Sequence, residues 1–210
     1  MRTVGQLSEN FIIKPEDYEG FIDFSGDVFA SSGPLHIEIG SGKGTFLVHQ
    51  ASAEPEVNFI GIEWARKYYR YAADRMRRWG LTNVRMLRTD AAVFIRGHIA
   101  DQSVDCYHIY FPDPWPKAKH NKRRFISEKN LPELIRTLKP GGIINAATDH
   151  DDYYEQICRV LFESGKDDFE EIEFIKPAGA EEGEKTGTNF ERKYIPEGRI
   201  TKTAAVRKKG

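Results

Sequence analysis

An alternation of short apolar runs with longer amphipathic ones constrains this chain most. It begins at Leu35–Ile39, which runs into Gly40-Ser41-Gly42-Lys43-Gly44 and is followed by Phe46, Leu47, Val48 and Ala51 at helical spacing. An apolar run, a glycine cluster and a 3.6-residue period spell strand, tight turn and helix. The pattern recurs. Residues 58–62, 84–87, 104–111 and 143–147 read as strands, and residues 65–79, 127–138 and 152–162 as helices, with Lys139-Pro140-Gly141-Gly142 as a stop signal. Residues 169–175 and 190–195 add two strand-like runs, separated by a Gly- and Glu-rich loop at 177–187. Seven strands alternating with helices predict an α/β fold: a doubly wound, mostly parallel sheet covered by helices on both faces. With 210 residues, one domain at 34–210 is expected, preceded by a partly ordered extension at 1–33 whose aromatics show no clean period.

No apolar run is long enough to span a bilayer, and Met1 to Phe11 lacks the apolar segment of a secretory signal, so a cytoplasmic protein with no membrane contact is expected. Cys106 and Cys158 stand apart, without metal-type spacing, and read as reduced core residues. The six histidines show no pair at ligand spacing on a shared face; His108 reads as packed core, and no metal is predicted. Monomer and homodimer both remain open. A net charge of -1 gives the whole molecule no attraction for a polyanion, so any nucleic-acid contact needs a local patch.

In open parallel sheets, ligands sit beyond the carboxyl ends of the strands, where strand order reverses. The glycine segment at the first strand end fits poorly with phosphate loops. Ile37 and Gly44 stand where a P-loop needs Gly and Ser or Thr, and Thr45 displaces the third glycine of a dinucleotide fingerprint. A nicotinamide oxidoreductase is weakened but stays open. S-adenosylmethionine carries an ammonium, a sulfonium and a ribose diol, so its site gains from acids. Glu38, Glu63 and Asp90 supply one acid at each of three successive strand ends, and Glu63 has the spacing from the glycines at which an acid reaches ribose hydroxyls.

After the fourth strand comes Phe111-Pro112-Asp113-Pro114-Trp115-Pro116-Lys117. Its three prolines leave Asp113 little backbone entropy to lose on binding. The next stretch, Lys117-Ala118-Lys119-His120-Asn121-Lys122-Arg123-Arg124, packs five cations into eight positions beside Trp115, a pattern suited to an RNA backbone.

Together with the glycine segment and Thr188-Asn189-Phe190-Glu191, this proline-framed motif resembles the signatures of the tRNA (guanine-N7)-methyltransferases, from about residue 35 to 153 and again over 188–194. The resemblance implies a Rossmann-like class I methyltransferase fold, with S-adenosylmethionine as cofactor and a guanosine of the tRNA variable loop as target. It implies that Glu38, Gly40, Gly42, Gly44, Glu63, Asp90 and Asp113 line the cofactor pocket, with Asp113 catalytic. Lys117, Asp149, Thr188, Asn189, Phe190 and Glu191 fall at its guanosine-binding positions, and Lys119, His120, Asn121, Lys122, Arg123 and Arg124 in its RNA-contacting segment. A catalytically silent RNA-binding module is the non-enzymatic alternative. Glu181, Glu182 and Glu184 would repel RNA near Thr188, and a basic tail at 199–209 follows them.

Overall fold

The computed structural model describes residues 11–210; the expectation about the first ten residues lies outside that span. Strands β1 (Ile12–Ile13), β2 (Leu35–Ile39), β3 (Asn58–Ile62), β4 (Val84–Leu87), β5 (Val104–Tyr110), β6 (Leu138–Thr148), β7 (Phe169–Ile172) and β8 (Lys202–Lys208) form one sheet. Its order is β1-β4-β3-β2-β5-β6-β8-β7, parallel except where β8 runs against both β6 and β7. Strand order reverses at β2, which pairs with β3 on one side and β5 on the other. Helices α1 (Thr45–Ala53), α2 (Arg66–Arg78), α3 (Ala91–His98), α4 (Leu131–Thr137), α5 (Asp151–Cys158) and α6 (Asn189–Tyr194) follow the strand ends.

Alternation along each strand divides the core between the two faces. Ile37, Ile60, Ile62 and Ile109 pack with Phe94, Leu134 and Ile157 of α3, α4 and α5. Phe59 and Met86 instead meet Phe46, Leu47, Tyr69, Ala72 and Met76 of α1 and α2. No helix of the described residues is long and apolar enough to cross a membrane.

Among the described residues, eight strands replace the seven expected. The run at 190–195 is helix α6, because Thr188 caps it by accepting from the Glu191 amide at 3.1 Å. Two strands were missed. β1 is only a two-residue pairing with β4, and β8 is a central strand whose buried Ala204, Ala205 and Val206 are flanked by cations that gave it the look of a tail. Those cations have partners at home: Arg199 pairs with Asp149, Lys202 with Asp151 and Arg207 with Glu170. Residues 11–33 are bound into the domain, with Ile13, Ile22, Phe24 and Phe29 in the core. Helix α4 stops at Thr137, and the Pro-Gly-Gly signal lies inside β6, where pairing with β5 shifts register.

Candidate active site

The carboxyl ends of β2, β3, β4 and β5 open into a cleft of two lobes, whose walls share Gly40, Gly42, Tyr68 and Phe111. The smaller lobe, about 300 Å³, is lined by Glu38, Ser41, Tyr110, Thr188, Asn189 and Phe190. The larger, about 860 Å³, is lined by Glu63, Asp90, Asp113, Trp115, Lys122 and Arg123. Of the four acids that the sequence placed in one pocket, Glu38 borders the smaller lobe and Glu63, Asp90 and Asp113 the larger.

Glycine geometry explains the first turn. Gly40 and Gly42 have φ of 81° and 53°, a region costly for side-chain-bearing residues, and they bring backbone to the cleft wall. Gly44, with φ of 67°, also serves packing: a Cβ there would lie 2.5 Å from Met76 Cε and 3.0 Å from Ala72 Cβ, so it lets α1 and α2 approach, and it lines neither lobe.

Each acid has a different local setting. Glu63 accepts from the Gly42 amide at 2.8 Å and the Ala65 amide at 2.6 Å, tying the glycine turn to the start of α2. Asp90 caps α3 through Oδ1, which accepts from Ala92 and Val93 and leaves Oδ2 toward solvent. Glu38 is 3% exposed, and its Oε2 has no hydrogen-bond partner. Burial pushes its carboxyl up to about 8, a nearby Ser41 hydroxyl opposing and Glu63 adding repulsion. From the ordinary carboxylate range up to about pH 8, the folded protein therefore holds a proton that the unfolded chain has lost, so this group makes stability fall as pH rises. Glu38→Gln should remove that slope: in thermal unfolding across pH, the variant should gain on the parent as pH climbs towards about 8 and no further beyond it. A constant offset between the two would contradict the assignment.

Asp113 is exposed on a loop held at both ends. Phe111 and Trp115 carry φ of 49° and 44°, strained for residues with side chains. Phe111 is anchored by its amide to the Ala147 carbonyl at 2.7 Å and by stacking on Phe190, ring centroids 4.5 Å apart. Phe190 in turn meets Tyr194 at 4.5 Å. The β5 loop and α6, distant in sequence, are thereby locked into one aromatic wall.

Glu191, expected at the guanosine, is 2% exposed and faces inward. It accepts four hydrogen bonds, from the amides of Lys185, Thr186 and Gly187 and from the Thr186 hydroxyl. It shapes the loop that presents Thr188 to Phe190, and its acceptor capacity is spent there. Lys117 and Asp149 line neither lobe; Asp149 is held by Arg199 at 2.7 Å.

Within the basic run, Arg124 is a correction. It is 1% exposed, donates to the Pro114 carbonyl at 2.7 Å and to Gln156 at 2.9 Å, pairs with Asp152, and lies over the Tyr153 ring. A guanidinium enclosed this way cannot reach RNA; it braces the Asp113 loop from behind. Lys117, Lys119, Lys122 and Arg123 are exposed, while His120 is half-buried with its ring edge-on to Trp115, and Arg123 covers Trp115 at 4.7 Å. Asn121 is half-buried as well. Glu181 and Glu184 both pair with Arg192, which offsets the repulsion expected of them.

Sequence spacing missed the cleft residues Tyr68, Tyr110, Phe111 and Tyr194, which read as ordinary aromatics. It also missed that His36 and His108, on neighbouring strands, meet at 3.2 Å, with Cys106 close by and Tyr110 at 2.9 Å from the other His108 nitrogen. Burial lowers both histidines, His36 to about 4, so this chain is neutral and hydrogen-bonded.

The strand order and the acid-lined end of the sheet define an α/β fold of the class I methyltransferase kind. Likeness to solved structures agrees at the level of fold. The aminoglycoside resistance methyltransferase NpmB1 superposes with a TM-score of 0.56 at 17% identity, covering 83% of this chain and 87% of that one. Precorrin-6y C5,15-methyltransferase from Geobacter metallireducens gives 0.55 at 13%, covering 84% and 80%. Residues 32–203 match the family described as "Putative methyltransferase", and the chain belongs to that family. It is 41% identical over 160 residues to the tRNA (guanine-N(7)-)-methyltransferase of Rhodopirellula baltica, covering 74% of this chain and 59% of that protein. The protein of the same name from Nitrosomonas eutropha is 41% identical over 134 residues, covering 64% and 60%. The matches thus span about three fifths of these relatives' lengths.

Proposed function

We propose that the protein transfers the methyl group of S-adenosylmethionine to N7 of a guanosine in tRNA, giving 7-methylguanosine in the variable loop. One observation carries this reading. An exposed carboxylate, Asp113, sits on a strained and braced loop in the wall of a cleft whose other acids suit a cationic, ribose-bearing donor. The shared name of the two relatives supports the choice of substrate.

The residues present fit the cofactor. Glu38, a buried carboxyl with an unpartnered oxygen, would take its ammonium. Glu63 would take the ribose hydroxyls, and the free Oδ2 of Asp90 offers an acceptor at the adenine end. When bound, the cofactor supplies an electrophilic methyl on a sulfonium.

Guanine N7 presents an in-plane lone pair and carries no proton, so the chain needs no general base. Its task is alignment, which can supply on the order of 7 to 11 kcal/mol of a bimolecular barrier. As N7 becomes cationic, Asp113 stabilises the developing charge more in the transition state than in the ground state. Asn189 and Phe190, presented by the loop that Glu191 organises, offer an amide and a ring face for the purine. Trp115, Lys122 and Arg123 border the side from which a polynucleotide would enter.

Incubating unmodified tRNA with methyl-labelled S-adenosylmethionine and digesting to nucleosides should put the label in 7-methylguanosine. Label in any other nucleoside, or in none, would refute the reading.

A further inference from the structure

Helix α2 is unusual for a chain of net charge -1. It carries Arg66, Lys67, Arg70, Arg75, Arg77 and Arg78 against the single carboxylate of Asp74. Tyr69, Ala72, Ala73 and Met76 bury its inner face, so the cations project outward. Asp74 is taken by Arg77 and Arg78, and Arg75 turns back to the Thr45 hydroxyl at 2.7 Å. Among the described residues, Arg66, Lys67 and Arg70 make no ion pair, and all three are exposed. Arg66 and Arg70 are four apart, an arrangement of like charges that destabilises a helix on its own.

Aromatic rings stand among these cations. Trp64 is 68% exposed, Tyr71 45% and Trp79 49%, a concentration of exposed large rings that burial does not account for. Trp64 and Tyr68 also line the larger lobe, as do Lys122 and Arg123. The basic stretch after Asp113 and the start of α2 therefore border the same lobe.

We infer that the outer face of α2 is a second RNA-binding surface, on which phosphates next to the target nucleotide meet Arg66, Lys67 and Arg70 and an unstacked base lies on Tyr71. Cations interleaved with exposed rings are the combination that tracks a nucleic-acid strand, charge for the phosphates and π-faces for the bases. A polyanion also relieves the repulsion among unpaired cations, which no acid in the described chain does. This surface rests on the proposed tRNA substrate; it adds a footprint separate from the 117–123 stretch.

The test is tRNA binding across a salt series, using the parent, the triple variant Arg66→Ala, Lys67→Ala, Arg70→Ala, and a control with Lys166→Ala and Lys209→Ala near β7, at the far edge of the sheet. The triple variant should flatten the slope of log affinity against log salt by about 2 to 3 and raise KM for tRNA, with kcat unchanged at saturation. The control should keep the parent slope. Arg70→Glu should weaken binding more than Arg70→Ala at the same unfolding midpoint, which separates charge from folding. A parent-like slope in the triple variant overturns the surface even if the parent labels guanine, leaving the reaction standing. A flattened slope in a protein that labels no guanine supports the surface and removes the reaction.

Discussion

Asp113→Asn should lower the rate of methyl transfer by about 10²-fold or more while tRNA and S-adenosylmethionine still bind. Losing one preorganised electrostatic partner of a developing charge commonly costs this much. The substitution keeps size and hydrogen-bonding shape and removes only the charge, on a loop whose conformation is set by Phe111, Trp115 and their contacts. The geometry should therefore survive. Single-turnover rates with saturating tRNA would read the loss, and equilibrium binding would show that it lies in the chemical step. A rate equal to the parent's would remove Asp113 from catalysis.

Arg124→Ala should act by a different route from its neighbours. Its guanidinium is buried against the Pro114 carbonyl, Gln156 and Tyr153, and removing it leaves two enclosed acceptors without their donor, at about 1 to 3 kcal/mol each. In a domain of this size that lowers the unfolding midpoint by roughly 10 °C. Lysine should not rescue it, because a single ammonium cannot reach three acceptors in the planar fork that arginine supplies. Removing the exposed Lys122 or Arg123 should leave thermal stability near the parent's and weaken RNA binding. Equal midpoints for Arg124→Ala and Lys122→Ala would show that Arg124 is not a brace.

Much of this was legible in the sequence because the βα pattern repeats a local signal. Strands β2 to β6 and the turn at Gly40 and Gly42 follow from apolar runs ending in residues that tolerate positive φ. What escaped was set by tertiary context. Residues 190–195 look strand-like, yet Thr188 with Glu191 three residues later is a helix-start signal, and the aromatics Phe190 and Tyr194 are spaced for one helical face. β8 was hidden because its core is two alanines and a valine, a weak apolar signal for a strand that has a neighbour paired along each edge. Charge alone also misleads about exposure. Arg124 and Lys122 are indistinguishable in a basic run, and only folding shows that one of them is buried over Tyr153 and the other exposed. Glu191 illustrates the same limit in reverse, a motif residue whose carboxylate is consumed by three backbone amides and a hydroxyl.

A crystal structure with S-adenosylhomocysteine bound tests most directly whether the strand-end acids and Asp113 serve one donor. The product should lie across both lobes, its ammonium at Glu38, its ribose at Glu63, and its sulfur turned towards the Asp113 loop. A ligand seated elsewhere, or one that leaves Glu38 and Glu63 untouched, would contradict the shared cleft.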